Sequence, residues 1–271
     1  MKYEYGLYNL HTHSYYCGHG VGEIGEYGEE ATKNGLKLLG FTEHCPVPEN
    51  RWSSSRMNYA TLPAYVRDVE QEKKRKGLQV LSGFECDYYP EYKNYYTDLK
   101  EKVDYLIFGV HFLTTPEQRD VSVHNVPMGK KELHIYAKQY IAAIESGLFC
   151  FGAHPDVFAF KYLDWDEEAL SVSRDIIACA LAYDLPLEVN ANGLMRGKIE
   201  TPSGQRDPYP LSSFWHLVRD EYPQLKVITN GDCHDPLNFG KFLTISKKWG
   251  EQEHIHFASA VVEEGKLSFI Q

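Results

Sequence analysis

Histidine and acidic residues fall along this chain in groups that suit divalent metal ions. His11-Thr12-His13 is followed by His19, and Thr42-Glu43-His44 comes next. Further on stand Glu85, His111, His154-Pro155-Asp156 and Asp232-Cys233-His234. Imidazole and carboxylate donors together suit Zn, Mn or Fe, and a carboxylate such as Glu85 can bridge two ions. Seven imidazoles (His11, His13, His19, His44, His111, His154, His234) and two carboxylates (Glu85, Asp232) exceed what one ion takes. They divide into three sites with positions left for water and substrate. The reading rests on the set, since one histidine at a strand end is an ordinary loop residue. His124, His134, His216, His254 and His256 are read that way, because nothing pairs them with strand ends.

The elements that must position these donors are short apolar segments. Leu7–Leu10, Leu36–Phe41, Gln79–Phe84, Tyr105–Val110, Phe149–Ala153, Pro186–Asn190 and Lys226–Asn230 read as strands, near-continuously apolar as parallel strands buried on both faces are. Helical periodicity runs through Glu23–Asn34, Leu62–Lys76, Lys130–Ser146, Asp166–Tyr183 and Leu211–Tyr222, with Tyr95–Lys102 a shorter candidate. Gly35, Gly77 and Gly147 follow three of these, where a left-handed cap is wanted. Alternating strand and helix means βαβ units and a parallel sheet, with a closed barrel expected and an open doubly wound sheet the alternative. Six of the seven strands end in His, Glu or Asp, on the rim where barrel enzymes place their chemistry. His11 and His13, two apart on a strand end, point to one side, and Asp232 and His234 repeat the arrangement. Ala258–Ile270 reads as two short strands around Glu264-Gly265.

At 271 residues and 43% hydrophobic, the chain can fill one large core, and 1–271 is expected to be a single domain. A formal charge of −10 argues against a nucleic-acid-coating surface. No apolar run reaches membrane-spanning length and no signal peptide is read, so a cytoplasmic setting is expected. Scattered cysteines without a CxxC pair agree with a reducing compartment. Cys45, Cys86 and Cys233 each adjoin a donor, and strand alternation should turn them away from it. Cys17 lies in a loop that can approach the site. No oligomeric state is specified.

At these residues the sequence resembles the polymerase-and-histidinol-phosphatase (PHP) family, from Leu10 to His234. His-x-His, Thr-Glu-His, the His-bearing strand ends and Asp-x-His are its motifs. Gly83-Phe84-Glu85-Cys86-Asp87-Tyr88, Gly109-Val110-His111-Phe112-Leu113 and Glu188-Val189-Asn190 with Gly193 and Arg196 look like the histidinol-phosphatase branch. The resemblance implies a distorted (β/α)7 barrel with its metal site at the C-terminal rim, and hydrolysis of L-histidinol phosphate to L-histidinol and phosphate. It implies two or three divalent ions (Zn, Mn or Fe). His11, His13, Glu85 and Asp232 would hold one, Glu85, His111 and His154 a second, and His19, His44 and His234 a third.

A hydroxide bridging two ions is the expected nucleophile, attacking phosphorus in line. Asp232 or a ligand-adjacent His is the candidate for passing a proton to the leaving alkoxide. Among the loop cations Arg51, Arg56, Lys161, Arg196 and Arg206, Arg196 is the first choice for the phosphate and Lys161 the second. Glu43, Asp87 and Asp156 are candidates to orient ligand histidines or meet the substrate amine, and Tyr88-Tyr89-Pro90-Glu91-Tyr92 with Tyr95 and Tyr96 reads as loop packing. The alternatives are a phosphoesterase of the same family acting on nucleotides, phosphodiesters or another small ester, a non-catalytic accessory domain, and an amidohydrolase. The last usually places a bridging Lys where a Glu ends the third strand here.

Overall fold

The apolar runs assemble into a curled parallel sheet wrapped by helices. A computed structural model describes residues 1–271. In chain order come β1 (Lys2–Tyr3), β2 (Tyr8–Asn9), α1 (Ile24–Lys33), β3 (Leu38–His44), α2 (Leu62–Glu72), β4 (Gln79–Cys86), α3 (Lys93–Lys100) and β5 (Tyr105–Phe108). A hairpin of β6 (Phe112–Leu113) and β7 (Val121–Ser122) leads to α4 (Lys130–Glu145), α5 (Glu167–Ala182), β8 (Leu187–Asn190) and α6 (Asn192–Met195). A second hairpin, β9 (Ile199–Thr201) and β10 (Gly204–Arg206), precedes α7 (Ser212–Glu221) and β11 (Val227–Asn230). The chain finishes with α8 (Phe239–Glu253), β12 (Ser259–Glu263) and β13 (Lys266–Ile270).

Strands β2, β3, β4 and β5 pair in that order, all parallel, and β8 pairs in parallel with β11. The stretch Phe149–Ala153, expected as a strand, is not one. Gly152 alone bridges Phe108 on one side and Leu187 on the other. Cys150 N still donates to Leu106 O at 2.8 Å, Ala153 N to Phe108 O at 2.8 Å, and Glu188 N to Gly152 O at 3.0 Å. A Cβ on Gly152 would run into the Tyr140 hydroxyl, so the close helix approach selects glycine there. At the other seam Thr12 bridges Cys233, Asp232 N donates to His11 O at 2.9 Å, and His13 N donates to Cys233 O at 2.9 Å.

Strand alternation divides the apolar side chains into two cores. Cys45, Cys86 and Cys233 pack in the outer one with Phe41, Phe84 and Phe108, as expected, and all six cysteines are free. The inner core holds Leu10, Leu38, Leu81, Tyr105, Ile107, Phe151 and Ile228. It continues into Tyr3, Ala260, Val262 and Phe269 of the antiparallel sheet β1-β12-β13. That sheet meets the strand starts, since the Tyr8 hydroxyl donates to Ala258 O at 2.8 Å and the Tyr3 hydroxyl bonds Gln79 at the head of β4. The donor-bearing strand ends lie at the opposite end of the sheet. The terminal pair around Glu264-Gly265 forms as expected, but its pairing with Lys2–Tyr3 was not.

Helix α8 went unread, because Gly240 and Gly250 lower its helical propensity. Tertiary contact reverses that cost. A Cβ at Gly240 would lie 2.5 Å from Asn34 Oδ1, and one at Gly250 would strike the Phe257 ring. Phe239, Phe242, Ser246 and Trp249 form its buried face. No helix is long and apolar enough to cross a membrane.

Candidate metal centre

Most donors sit where a parallel strand stops or just beyond, while His154 follows the Gly152 bridge and His19 the loop after Tyr15–Cys17. His11 and His13 flank the bridging Thr12 and send both Nε2 atoms to one point. His11 Nε2 lies 3.5 Å from Glu85 Oε2 and 3.7 Å from Asp232 Oδ1. His13 Nε2 lies 3.6 and 3.2 Å from the same two oxygens. Glu85 Oε1 faces His154 Nε2 at 2.9 Å and His111 Nε2 at 3.3 Å, while its Oε2 meets His44 Nδ1 at 2.8 Å. The ring of His234 stacks on His13 at 4.2 Å, and those of His19 and His44 stack at 5.1 Å.

Separations of 3.2 to 3.7 Å between donors that do not hydrogen-bond resemble the edges of a coordination polyhedron. Buried atoms without any partner support this. His11 Nε2, both nitrogens of His13, Asp232 Oδ1 and His234 Nε2 have no hydrogen-bond partner, and His44 Nδ1 and Glu85 Oε2, though 2.8 Å apart, lack hydrogen-bond geometry. Buried polar atoms normally find one, so a run of orphans converging on one region fits a metal cluster. Ligand atoms of His11, His13 and Glu85, of His44, Glu85 and His111, and of His19, His44 and His234 lie within 4.8 Å of one another. His13, Cys17 and His234 do so as well, so Cys17 does approach the site. Its Sγ takes a bond from Gly20 N at 3.1 Å and donates to Ser14 O at 3.2 Å. Backbone strain is stored here too: His154 and Asp232 adopt φ of 30° and 51°.

Surrounding groups fix the rings. His11 Nδ1 meets Glu188 Oε1 at 2.9 Å, and that carboxylate is held by the amides of Asn190 at 2.9 Å and Asn230 at 3.0 Å. His111 Nδ1 lies 3.1 Å from Asp87 Oδ2, which the buried Arg56 guanidinium also grips. Glu43 accepts from Ser14 N and Oγ, both at 2.6 Å, and stands 3.9 Å from His13 Nδ1. Asn190 and Asn192 amides reach Asp232 Oδ2 at 3.3 and 3.2 Å. Carboxylates behind ligand imidazoles set tautomer and orientation.

The ionisation pattern is the one metal donors need. Burial opposes charge on Glu85, yet His111, His11 and His44 hold its carboxyl well below the usual range. Burial likewise opposes charge on Asp232, and His11, His13 and His234 outweigh it. Burial and His234 push His13 down to about 3 and His19 to about 4. Burial, with Arg56 and His13, holds His44 well below its ordinary value. His11 and His111 go the other way. Burial resists, but Glu188, Asp232 and Glu85 raise His11, and Glu85 with Asp87 raises His111 to about 9. A cluster that attracts protons this strongly is short of positive charge, which divalent cations would provide.

A cavity of about 390 Å³ opens beside the donors, lined by His19, His234, Asn192, Arg196, Asn238 and Phe242 among others. Arg196 Nε donates to the Tyr209 hydroxyl at 2.9 Å, which fixes the guanidinium in this wall. Lys161 lies apart from that cavity, with Nζ 4.7 Å from the Phe160 ring centroid. The other cations are committed elsewhere. Arg51 forks onto Asp120 at 2.6 and 3.1 Å, and Arg206 donates to Ala159 O at 2.7 Å.

A family model described as PHP domain matches residues 9–192. The chain belongs to the PHP domain family. A Deinococcus radiodurans relative named "Probable histidinol-phosphatase" is 29% identical over 256 residues, spanning 87% of this chain and 89% of its own. The histidinol-phosphatase of Bacillus subtilis is 33% identical over 117 residues, 39% of this chain and 44% of its own. The histidinol phosphate phosphatase of Lactococcus lactis, solved with Zn, L-histidinol and phosphate, superposes with a TM-score of 0.70 at 15% identity. It covers 97% of this chain and 99% of its own, which shows a shared mixed α/β fold.

The structure brings all nine expected donors together, with Arg196 lining the adjoining cavity. Of the three acids proposed to orient histidines or meet an amine, Asp87 and Glu43 stand behind ligand rings. Asp156 does neither. Its Oδ2 accepts from Leu211 N at 2.5 Å and Trp215 Nε1 at 2.9 Å, and burial raises its pKa to about 6. The Tyr88–Tyr96 stretch is packing, with Tyr95, Tyr96 and Tyr89 hydroxyls bonded to Pro46 O, Asp87 O and Phe112 O. Glu188 was missed as the partner of His11. The signal was present, because Glu188 and Asn190 alternate with apolar residues in Leu187-Glu188-Val189-Asn190 and so share an inward face. His124, set aside with the loop histidines, is the other miss. Its ring lies 6.1 Å from that of His111. His134 and His216, by contrast, pair with Glu168 and Glu253 away from the site.

Proposed function

We propose that the chain is a metal-dependent phosphatase that hydrolyses L-histidinol phosphate to L-histidinol and phosphate. The observation that carries this reading is the convergence of nine donors, Glu85 among them, beside a cavity that Arg196 lines. Full-length similarity to a relative named as a histidinol-phosphatase supports the substrate. The reading includes a single (β/α)7 domain over 1–271, with the Gly152 bridge standing where the fifth strand of such a barrel would run and the Thr12–Cys233 seam closing the ring. Six free thiols suit a cytoplasmic setting.

His11, His13, Glu85 and Asp232 would hold one divalent ion, Glu85, His111 and His154 a second, and His19, His44 and His234 a third. Zn, Mn and Fe all suit this donor set. Bound ions there supply Lewis-acid activation of water and neutralise charge on the phosphoryl oxygens. The chain's own groups do the rest. Arg196, fixed by Tyr209, offers a planar fork to phosphoryl oxygens, and Lys161 adds a point charge. Asp232, ionised at rest and steadied by Asn190 and Asn192, accepts the proton of the attacking water and passes it to the leaving alkoxide.

The test is phosphate release from histidinol phosphate and from nucleoside monophosphates, with and without prior chelation. We expect metal-dependent turnover that favours histidinol phosphate. Equal rates on all esters would remove the substrate assignment, and full activity after complete metal removal would remove the mechanism. His13→Ala should abolish turnover with the circular dichroism spectrum unchanged.

A further inference from the structure

His124 stands beside the donor cluster although no strand end carries it. The hairpin of β6 and β7 folds back so that Val123 N donates to His111 O at 2.9 Å, and the next residue is delivered beside the ligand histidine. The His124 ring centroid is 6.1 Å from that of His111 and 6.0 Å from that of Phe160, which it meets edge-on. Phe160 is also the ring beside both cations of the proposed phosphate site. Lys161 Nζ lies 4.7 Å and Arg196 Cζ 5.9 Å from its centroid. Three polar side chains from three rim loops converge on one aromatic ring.

The half-buried His124 has its Nδ1 sealed from solvent with no hydrogen-bond partner in the chain. With Lys161 and Arg196 already beside Phe160, an imidazole adds little to the capture of a phosphoryl dianion. What it does add is one lone pair and one N–H. A site built to hydrogen-bond a substrate nitrogen rejects an analogue lacking it far more strongly than an apolar pocket does.

We infer that His124 is a specificity-determining residue that reads the alcohol half of the ester, hydrogen-bonding a nitrogen of the leaving alcohol while the metal rim and Arg196 hold the phosphoryl half. This rests on the histidinol-phosphate reading above. His124→Phe keeps the ring's packing on Phe160 and His111 but removes both nitrogens, and His124→Asn sets an amide where Nδ1 stood. Steady-state kinetics on histidinol phosphate and on phenyl phosphate, which has no nitrogen, are paired with bound-metal analysis by mass spectrometry. The ratio of kcat/KM for histidinol phosphate over phenyl phosphate falls roughly tenfold or more in the Phe variant. The loss appears mainly in KM, bound metal is unchanged, and the Asn variant recovers part of the ratio. An unchanged ratio in the Phe variant, or a parallel loss on both esters together with metal, overturns the inference. A wild-type protein with no preference for histidinol phosphate is a different result, which removes the substrate reading and this inference with it.

Discussion

Glu85 is the side chain on which the centre turns, since its two oxygens face different imidazoles. Oε2 looks toward His11, His13 and His44, and Oε1 toward His111 and His154. Glu85→Gln keeps the shape and removes the charge that two cations would share. We expect loss of at least one bound ion per chain by mass spectrometry and a fall in phosphate release of at least about a thousandfold, the scale of a lost electrostatic contact in a reacting site. Glu188→Gln tests the outer layer. His11 would lose its anionic partner at Nδ1, and metal affinity should drop about 10–100-fold in a chelator competition, with the ion count unchanged at saturating metal. At this scale the sequence was most legible where donors follow strands, because a strand end in a parallel sheet has one place to point. It was least legible at His124, whose position depends on a hairpin of two-residue strands too short to show a period.

Among the elements, the segment after β5 shows how backbone shape serves chemistry. A Cβ on Gly109 would sit 2.5 Å from His154 Cε1, 2.7 Å from Glu85 Oε1 and 2.9 Å from His111 Cε1. Gly109→Ala should therefore displace donors and cost most of the activity, while thermal unfolding moves little. Gly77→Ala should do the reverse. Gly77 caps the end of the α2 region at φ 82° with open space around it, so the substitution strains only the backbone. We expect a stability loss of about 1 kcal/mol by thermal melting with unchanged kcat. Strands and helices were readable within a few residues because their burial patterns are strong. Phe149–Ala153 and α8 were misread because close packing at Gly152, Gly240 and Gly250 overrode local propensity, and propensity is all that a single sequence displays.

For the molecule as a whole, the centre gathers Glu85, Asp87, Glu188 and Asp232 in one buried region. Bound divalent ions oppose the mutual repulsion of those carboxylates, and ligands that bind only the folded state stabilise it by mass action. Removal of metal by a chelator should lower the melting temperature by several degrees, and re-addition of Zn or Mn should restore it in a concentration-dependent way; identical melting curves would count against the cluster. The seam that joins Thr12 to Cys233 carries a further consequence for how the protein comes into being. His11 and His13 lie far along the chain from Asp232 and His234, whose side chains they meet across that seam. A coordination sphere drawing on both would be complete only once the seam has closed, so we expect metal to bind the folded chain and not its fragments.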